Sequence, residues 1–110
     1  MMEITTNTVS AKGIKFSLVE SDREIARAYL YLMHNDLHQE PFGLLEDVYV
    51  AEDNRGRGLG TQLVKQVIQE AREQGCYKLI ATSRKSRSKV HQLYTRLGFQ
   101  EHGLEFRIDF

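Results

Sequence analysis

The run from Leu44 to Gly60 constrains this chain more than any other stretch. It begins with apolar residues typical of a strand, passes through a short polar turn and a glycine-rich loop, and leads into a helical pattern. Three glycines between positions 56 and 60 alternate with Arg57 and Leu59, so few side chains there could block a ligand. A bare, basic loop between a strand and a helix N-terminus is well suited to holding phosphate.

Two common phosphate-binding patterns do not fit this loop. A P-loop places Lys and Ser or Thr directly after its last glycine, whereas Gly60 is followed by Thr61-Gln62. The dinucleotide fingerprint G-x-G-x-x-G fails because Thr61 stands where the third glycine belongs. The remaining pattern, Arg55-x-x-Gly58-x-Gly60, is either an anion site or a glycine-rich turn that permits tight packing. Two arginines beside unblocked N–H groups favour the anion site.

Length and composition predict a single globular domain over residues 1–110, large enough for one core without metals or disulfides. Fifteen basic and fifteen acidic residues balance, so no net field attracts nucleic acid or an anionic membrane. A single cysteine, Cys76, excludes an internal disulfide, and no apolar run approaches the ~20 residues that span a bilayer. The polar N-terminus lacks the apolar core of a signal peptide. We therefore expect a cytoplasmic protein that binds neither nucleic acid nor membrane.

The N-terminal third has one clear element and one ambiguous one. Apolar residues alternate with polar ones from Ile14 to Leu18, which predicts a half-buried strand. Residues 1–13 are either a frayed terminus or a weak edge strand. Residues 25–33 fit an amphipathic helix and a strand buried on both faces about equally well from pattern alone.

The best strand in the sequence runs from Leu44 to Ala51. Strict alternation sets Glu46 on the same side as Val48 and Val50, and it sets Asp47 on the opposite side. At most one of these two carboxylates can therefore face a given cleft.

The elements after the glycines follow one another closely. An amphipathic helix is predicted by an apolar stripe made of Leu63, Val64, Val67, Ile68 and Ala71. Residues 78–83 predict a short strand, and the strand–helix–strand connection implies parallel pairing. A second helix is predicted from about Ser88 to its stop at Gly98. Phe99–His102 and Leu104–Phe110 are predicted to be two final strands.

Other candidate groups each have a simpler explanation. Tyr94 lies on an apolar helix face, where spacing alone favours a core position. Glu46 is either a partly desolvated base or a carboxylate held by backbone N–H groups. The basic run 84–89 is most often solvated, although it could reach a phosphate. His34 and His38 lack a third ligand, so no metal site is predicted.

Two motifs together resemble the GCN5-related N-acetyltransferase (GNAT) superfamily. The run Arg55–Gly60 is similar to its R/Q-x-x-G-x-G/A acetyl-coenzyme A loop, and Leu93–Phe99, which reads LYTRLGF, is similar to its later L-Y-x-K/R-x-G-F signature. The resemblance covers Ile14 to Phe110. It implies an α/β fold with a mixed, mostly antiparallel central sheet, a parallel strand–helix–strand crossover and two main helices. It also favours a strand for residues 25–33.

The resemblance implies acetyl-CoA as co-substrate, a primary amine of unknown identity as acceptor, and no metal. Tyr94 would protonate the departing thiolate, and Glu46 would be the general base. Val48, Tyr49 and Val50 would pair with the pantetheine arm through their backbone, and an N–H of this strand would hold the oxyanion. The pyrophosphate would be wrapped by Arg55, Gly56, Arg57, Gly58, Leu59, Gly60 and Thr61.

The chain also departs from the family pattern. Relatives usually begin with a strand and two helices that wall the acceptor pocket, whereas only the polar residues 1–13 precede the first predicted strand here. Arg87 stands where many relatives carry Asn. We therefore expect an N-acetyltransferase working by direct attack, and the alternative is a non-catalytic GNAT-fold module that binds CoA or a protein partner. Aromatic-ended terminal strands are compatible with a homodimer.

Overall fold

The computed structural model describes residues 1–110 and has a four-stranded mixed sheet with two α-helices. In chain order the elements are β1 (Lys12–Glu20), β2 (Arg23–Met33), β3 (Phe42–Val50), α1 (Leu59–Glu73), β4 (Leu79–Ala81) and α2 (Ser88–Arg96). The strands lie in the order β1-β2-β3-β4; the first three are antiparallel, and β4 is parallel to β3. The predicted fold class is confirmed. Neither α1 nor α2 has the length and apolar composition of a membrane-spanning helix.

The ambiguous segment 25–33 is a strand. A two-residue turn at Ser21 and Asp22, with φ of 53° and 61°, joins β1 to β2, and positive φ at both positions matches the twist of a hairpin. Because β2 pairs with β1 on one side and β3 on the other, its backbone groups are satisfied without a helix. Its buried side chains include Ala26, Ala28, Leu30 and Leu32.

The hydrophobic core lies between α1 and one face of the sheet. The predicted stripe of α1 is confirmed, and Val64 and Val67 are completely buried in it. From the sheet, β2 supplies most of the buried residues and β3 supplies Leu45. The helix is thus held across the middle strands, with its N-terminus above the end of β3.

The two strands predicted after Gly98 are wrong. The structure has no strand in Phe99–His102 or Leu104–Phe110, and residues 100–110 make no backbone hydrogen bond. A strand needs a neighbour to satisfy its N–H and C=O groups, and none lies beside this segment. β4 is also shorter than the predicted 78–83, at three residues.

A bulge interrupts β3 at its midpoint. Asp47 and Val48 both stand opposite Ala28, and Asp47 has a φ of 48°. The regular pairs on either side of the bulge are Arg27–Tyr49 and Tyr29–Glu46. One extra residue in a strand bends it and shifts the alternation of its side chains by one position.

The bulge overturns the predicted common side of Glu46, Val48 and Val50. Before the bulge Leu45 lies in the core, and after it Val48 and Val50 pack against that same core. The alternation of inward and outward side chains in β3 is therefore shifted by one position after the bulge. Glu46 lies on the face opposite Leu45, away from the valines.

Candidate functional site

The two halves of β3 have different neighbours. β4 pairs only with Gly43, Leu44 and Leu45, and it ends opposite Leu45 at Ala81. From Glu46 to Val50, β3 is paired with β2 alone. Its other edge is therefore free of β4 and presents backbone groups that an extended ligand could pair with.

The half of β3 that pairs with β4 is closely packed at Gly43. A Cβ built on Gly43 would lie 2.9 Å from Leu79 Cδ1 and 3.0 Å from Leu30 Cδ1. Backbone and side chains fill this end of the gap between β3 and β4. The opening between the strands begins only where β4 stops.

An ion pair between Arg27 of β2 and Asp47 of β3 holds the bulge that separates the two halves of β3. Arg27 Nε donates to Asp47 Oδ2 at 2.9 Å, and its Nη2 donates to Asp47 Oδ1 at 3.3 Å. The Asp47 carboxylate raises the pKa of Arg27, chiefly through this hydrogen bond. A two-point contact of this kind fixes the direction of the Asp47 side chain, whose backbone is in the left-handed region.

The loop after β3 exposes its backbone to solvent. It starts with a single 3₁₀ turn at Glu52–Asn54, and Gly56 and Gly58 then adopt φ of 85° and 75°. A Cβ on either glycine would meet no atom within 4 Å, so a side chain would not clash there. Glycine is favoured because other residues would be strained at these positive φ values. No side chain caps α1, and the Gln62 N–H bonds to Gly58 O at 3.1 Å. The N–H groups of residues 59–61 lack intrahelical partners.

The two arginines of the loop have different positions. Arg57 donates to Asn54 Oδ1 at 2.9 Å and to Glu20 Oε2 at 3.2 Å, so it ties the loop to the end of β1. Arg55 donates through Nε to Val50 O at 3.0 Å and remains beside the open backbone. Arg55 is therefore the better placed of the two to meet an anion. The predicted cofactor contact of Arg57 stays a prediction.

A cavity of about 200 Å³ joins this loop to α2. Its lining residues are Val50, Asn54, Arg55, Gly56, Gly58, Leu59, Gly60, Thr61 and Leu93. Seven of the ten predicted cofactor-binding residues are thus brought together. The cavity also has two lining residues that were not predicted, Asn54 and Leu93. In the sequence Asn54 looks like a solvated loop residue, and Leu93 belongs to the second motif but had no predicted contact with the cofactor.

The other three predicted cofactor residues, Val48, Tyr49 and Arg57, lie outside the lining of this cavity. Val48 packs against the core, and Tyr49 is 40% exposed, with the guanidinium groups of Arg27 and Arg55 at 4.6 and 5.9 Å from its ring. Only the backbone of Val48 and Tyr49 remains available on the free edge of β3. The predicted pairing with pantetheine concerns that backbone.

Tyr94 of α2 and Glu46 of β3 come from different elements, and the charge of Glu46 acts on the Tyr94 phenol. Tyr94 on α2 is half-buried, and its ring lies 5.2 Å from that of Phe99. Burial raises the pKa of Tyr94, and the negative charge of Glu46 raises it further, while Arg87 opposes the shift. The phenol is therefore protonated at neutral pH. Tyr94 directly follows Leu93, which lines the cavity.

Cys76 is not arranged as a nucleophile. Burial raises the pKa of its thiol, and the residue packs against the core. A reactive cysteine needs the thiolate, which positive neighbours or a helix N-terminus would favour. The thiol is a small apolar packing group at the end of α1.

The profile of the Acetyltransferase (GNAT) family matches residues 6–99. Among curated proteins, the chain is 31% identical over 103 residues to an aminoglycoside N(6')-acetyltransferase type 1 of Stenotrophomonas maltophilia, covering 90% of this chain and 67% of that protein. It is 38% identical over 68 residues to a probable glucosamine 6-phosphate N-acetyltransferase 2 of Oryza sativa, covering 62% of this chain and 39% of that protein. The matched segments thus span from under half to two thirds of these relatives.

Solved structures share the fold. A putative acetyltransferase from Agrobacterium tumefaciens superposes with a TM-score of 0.82 at 28% identity, covering 89% of this chain and 69% of that chain. An acetyltransferase of Trypanosoma brucei gives a TM-score of 0.81, also at 28% identity, with coverages of 89% and 69%.

Proposed function

The chain belongs to the acetyltransferase (GNAT) family, and we propose that it transfers an acetyl group from acetyl-CoA to a primary amine by direct attack. One observation carries this proposal: the uncapped N-terminus of α1 opens into the same cavity as Leu93 of α2, at the free half of β3. Residues suited to phosphate and to an extended arm therefore lie next to one another, and Tyr94 directly follows Leu93 in α2.

The residues present fit acetyl-CoA on the chemistry of this cavity. Free N–H groups at residues 59–61, the positive end of the helix dipole and Arg55 suit a pyrophosphate. The free edge from Glu46 to Val50 suits the amide-containing pantetheine arm, which could pair with it as an added strand. Gly56 and Gly58 leave room for close approach of the phosphates.

Acetyl-CoA would supply an acetyl group activated as a thioester. Glu46 would accept a proton from the attacking amine, directly or through water. Tyr94 would donate its phenolic proton to the sulfur that leaves, since burial and Glu46 keep that phenol protonated. The protonated, packed thiol of Cys76 supports a route without an acyl-enzyme.

The relatives suggest which amines to test. Curated proteins similar to this chain are named for glucosamine 6-phosphate, aminoglycosides, L-methionine sulfoximine and thialysine. We propose that the acceptor is a small molecule with a primary amine, as these names indicate.

The decisive experiment has a binding arm and a turnover arm. Acetyl-CoA at millimolar concentration should raise the melting temperature, and its failure to do so would refute the assignment of the cavity. Each of the four named acceptors is then assayed for free thiol released from acetyl-CoA, with Tyr94→Phe as the inactive control. Binding without turnover across a broad amine panel would favour the non-catalytic module.

A further inference from the structure

Two tyrosines of β2, Tyr29 and Tyr31, lie on the face of the sheet opposite α1. Leu30 between them is buried in the core, and side chains alternate along a strand, so both rings point the other way. Their centroids are 6.1 Å apart and their planes differ by 3°. A Cβ on Gly13 of β1 would lie 3.0 Å from Tyr31 Cε1, so this glycine leaves room for the ring. We call the two rings the tyrosine platform.

The platform holds an ammonium group on its β1 side. Lys15 is paired with Tyr29 across the two strands, and its Nζ lies 5.8 Å from the centre of the Tyr29 ring. The same Nζ lies 2.8 Å from Glu24 Oε1. An aromatic ring and a carboxylate together hold a cation here, which is a combination that binds organic ammonium groups in general.

The β3 side of the platform has the same two kinds of group. Glu46 is paired with Tyr29 across β2 and β3, and directly paired residues of neighbouring strands lie on the same face. Glu46 is half-buried, and it takes part in none of the ion pairs of this structure. A ring and a carboxylate thus lie together without a cation from the chain.

The charges around Tyr29 leave this face negative. Lys15 is paired with Glu24, and Arg27 is paired with Asp47 at 2.9 Å. Two cations stand against the three carboxylates of Glu24, Asp47 and Glu46, which leaves one negative charge. A cationic ligand fits this balance, whereas a ligand with a phosphate or a carboxylate would meet like charge with both cations already engaged.

The nearest cation of β4 lies at the other end of the sheet. Lys78 Nζ is 5.4 Å from the ring centre of Phe42 and 5.3 Å from that of Tyr77. Phe42 lies four residues before Glu46 in β3, which is about 13 Å along a strand. Lys78 therefore does not neutralise Glu46.

Glu46 connects the platform with the candidate site. It is the first residue of the half of β3 that β4 leaves free, and its charge acts on the Tyr94 phenol. An ammonium group held at Glu46 would therefore lie at the start of the edge that is proposed for the cofactor.

Resting on the proposed acetyl transfer, we propose that the tyrosine platform and Glu46 form the acceptor subsite, which selects a primary amine carried on a ring and free of phosphate and carboxylate groups. A ring covers the platform with less loss of conformational freedom than a flexible chain. Its ammonium group lies beside Tyr29 and Glu46. Among the acceptors named above, only the aminoglycosides meet both conditions, because glucosamine 6-phosphate has a phosphate and the two amino acids have carboxylates.

The first test compares matched acceptors on the unmodified chain. Glucosamine and glucosamine 6-phosphate differ only in the phosphate, and glucosaminitol is the open-chain form of glucosamine. Thiol release should give a kcat/KM for glucosamine that is about 10-fold or more above that of the 6-phosphate, since like charges at close range repel. The open-chain amine should be slower than glucosamine by about 5-fold or more. Kanamycin is included as an aminoglycoside.

The second test changes the platform. Tyr29→Leu/Tyr31→Leu keeps apolar bulk and removes the aromatic faces, so the KM for the preferred ring amine should rise by about 10-fold with little change in kcat. Tyr29→Phe/Tyr31→Phe keeps both faces and should have the KM of the unmodified chain. Acetyl-CoA should raise the melting temperature equally in all three proteins. If the double Leu variant does not fold, Tyr31→Leu replaces it, because that side chain is 37% exposed.

The outcomes separate this proposal from the proposed function. If acetyl-CoA does not raise the melting temperature of the unmodified chain, the cofactor assignment fails. If acetyl-CoA does so but neither glucosamine nor kanamycin is acetylated, only the acceptor subsite is overturned. A kcat/KM for glucosamine 6-phosphate or glucosaminitol equal to that of glucosamine would also overturn it, as would an unchanged KM in the Leu variant.

Discussion

β3 is one strand with two different halves. From Gly43 to Leu45 it is paired on both edges, and a Cβ on Gly43 would lie 2.9 Å from Leu79 Cδ1, so that side chain would have to move. From Glu46 to Val50 it is paired on one edge, borders a cavity at Val50 and has a bulge at Asp47. The first half stabilises the fold, and the second is open to a ligand.

The residue types do not explain this difference. Both halves are rich in β-branched or large apolar side chains of the kind that favour strands. The open half exists because β4 stops at Ala81, opposite Leu45, and a bulge then interrupts β3 at Asp47. The free edge of β3 thus begins where β4 ends, next to the bulge.

The strongest test of the open half is Gly58→Glu. The substitution sets a carboxylate at the helix N-terminus where a phosphate would lie, and like charges at close range cost several kcal/mol. We expect the Kd for acetyl-CoA, measured by calorimetry, to rise by about 100-fold or more, which is ~2.7 kcal/mol.

The matched control is Gly75→Glu at the other end of α1. Gly75 has a φ of 78° and the same open surroundings as Gly58, so the backbone strain is comparable. This variant should lose stability and keep its affinity for acetyl-CoA. Equal affinities in the two variants would show that the loop does not hold the cofactor.

The next largest effect is expected for Tyr94→Phe. Losing a general acid typically lowers a rate by about 10²-fold, and here it should lower kcat with little change in KM. Steady-state kinetics measure both constants. Tyr77→Phe is the control, since the Tyr77 ring packs on His38 at 3.9 Å and lies outside the cavity lining. A full rate for Tyr94→Phe would make Tyr94 a packing residue only.

The bulge itself can be strained by Asp47→Val. A β-branched residue at a φ of 48° costs roughly 1–3 kcal/mol, so the strand should straighten or the protein lose that much stability. We expect the KM for acetyl-CoA to rise by about 10-fold or less. Asp47→Asn tolerates the same φ and removes only an exposed ion pair, worth about 1 kcal/mol or less. If both variants bind acetyl-CoA like the parent, the bulge does not shape the open edge.

The smallest effect concerns the titration of Tyr94. Burial is the larger cause of its raised pKa and Glu46 the second, so Glu46→Gln should lower that pKa part of the way and leave it above the ordinary value of 10.0. Phenolate absorbance against pH, with Tyr94→Phe subtracted, measures this. Because the folded chain favours the neutral phenol, the stability that this contributes is complete below pH 10 and is lost as the pH rises through the folded pKa. If the pKa of Tyr94 is unchanged in Glu46→Gln, the charge of Glu46 does not act on Tyr94.

Much of the site could be predicted from sequence because its parts are local. Gly58 must be glycine for its left-handed backbone, and the stripe of α1 repeats at the helical period. Tyr94 follows from the second motif, and the cavity lies beside it at Leu93. The orientation of Glu46 could not be predicted, because a bulge changes the alternation without altering the residue pattern.

The loop, both helices and the strand that precedes the loop could be predicted from sequence, since each depends on residues that are close together along the chain. The residue pattern left residues 25–33 open between helix and strand, and the pairing of β2 with β1 and β3 makes them a strand. The bulge in β3, the end of β4 at Ala81 and the absence of strands after Gly98 are visible only in the tertiary structure. Strand pairing joins residues far apart in sequence, and a strand exists only where a neighbouring backbone completes its hydrogen bonds. The periodicity of Leu104–Phe110 therefore predicts a strand that the structure does not form.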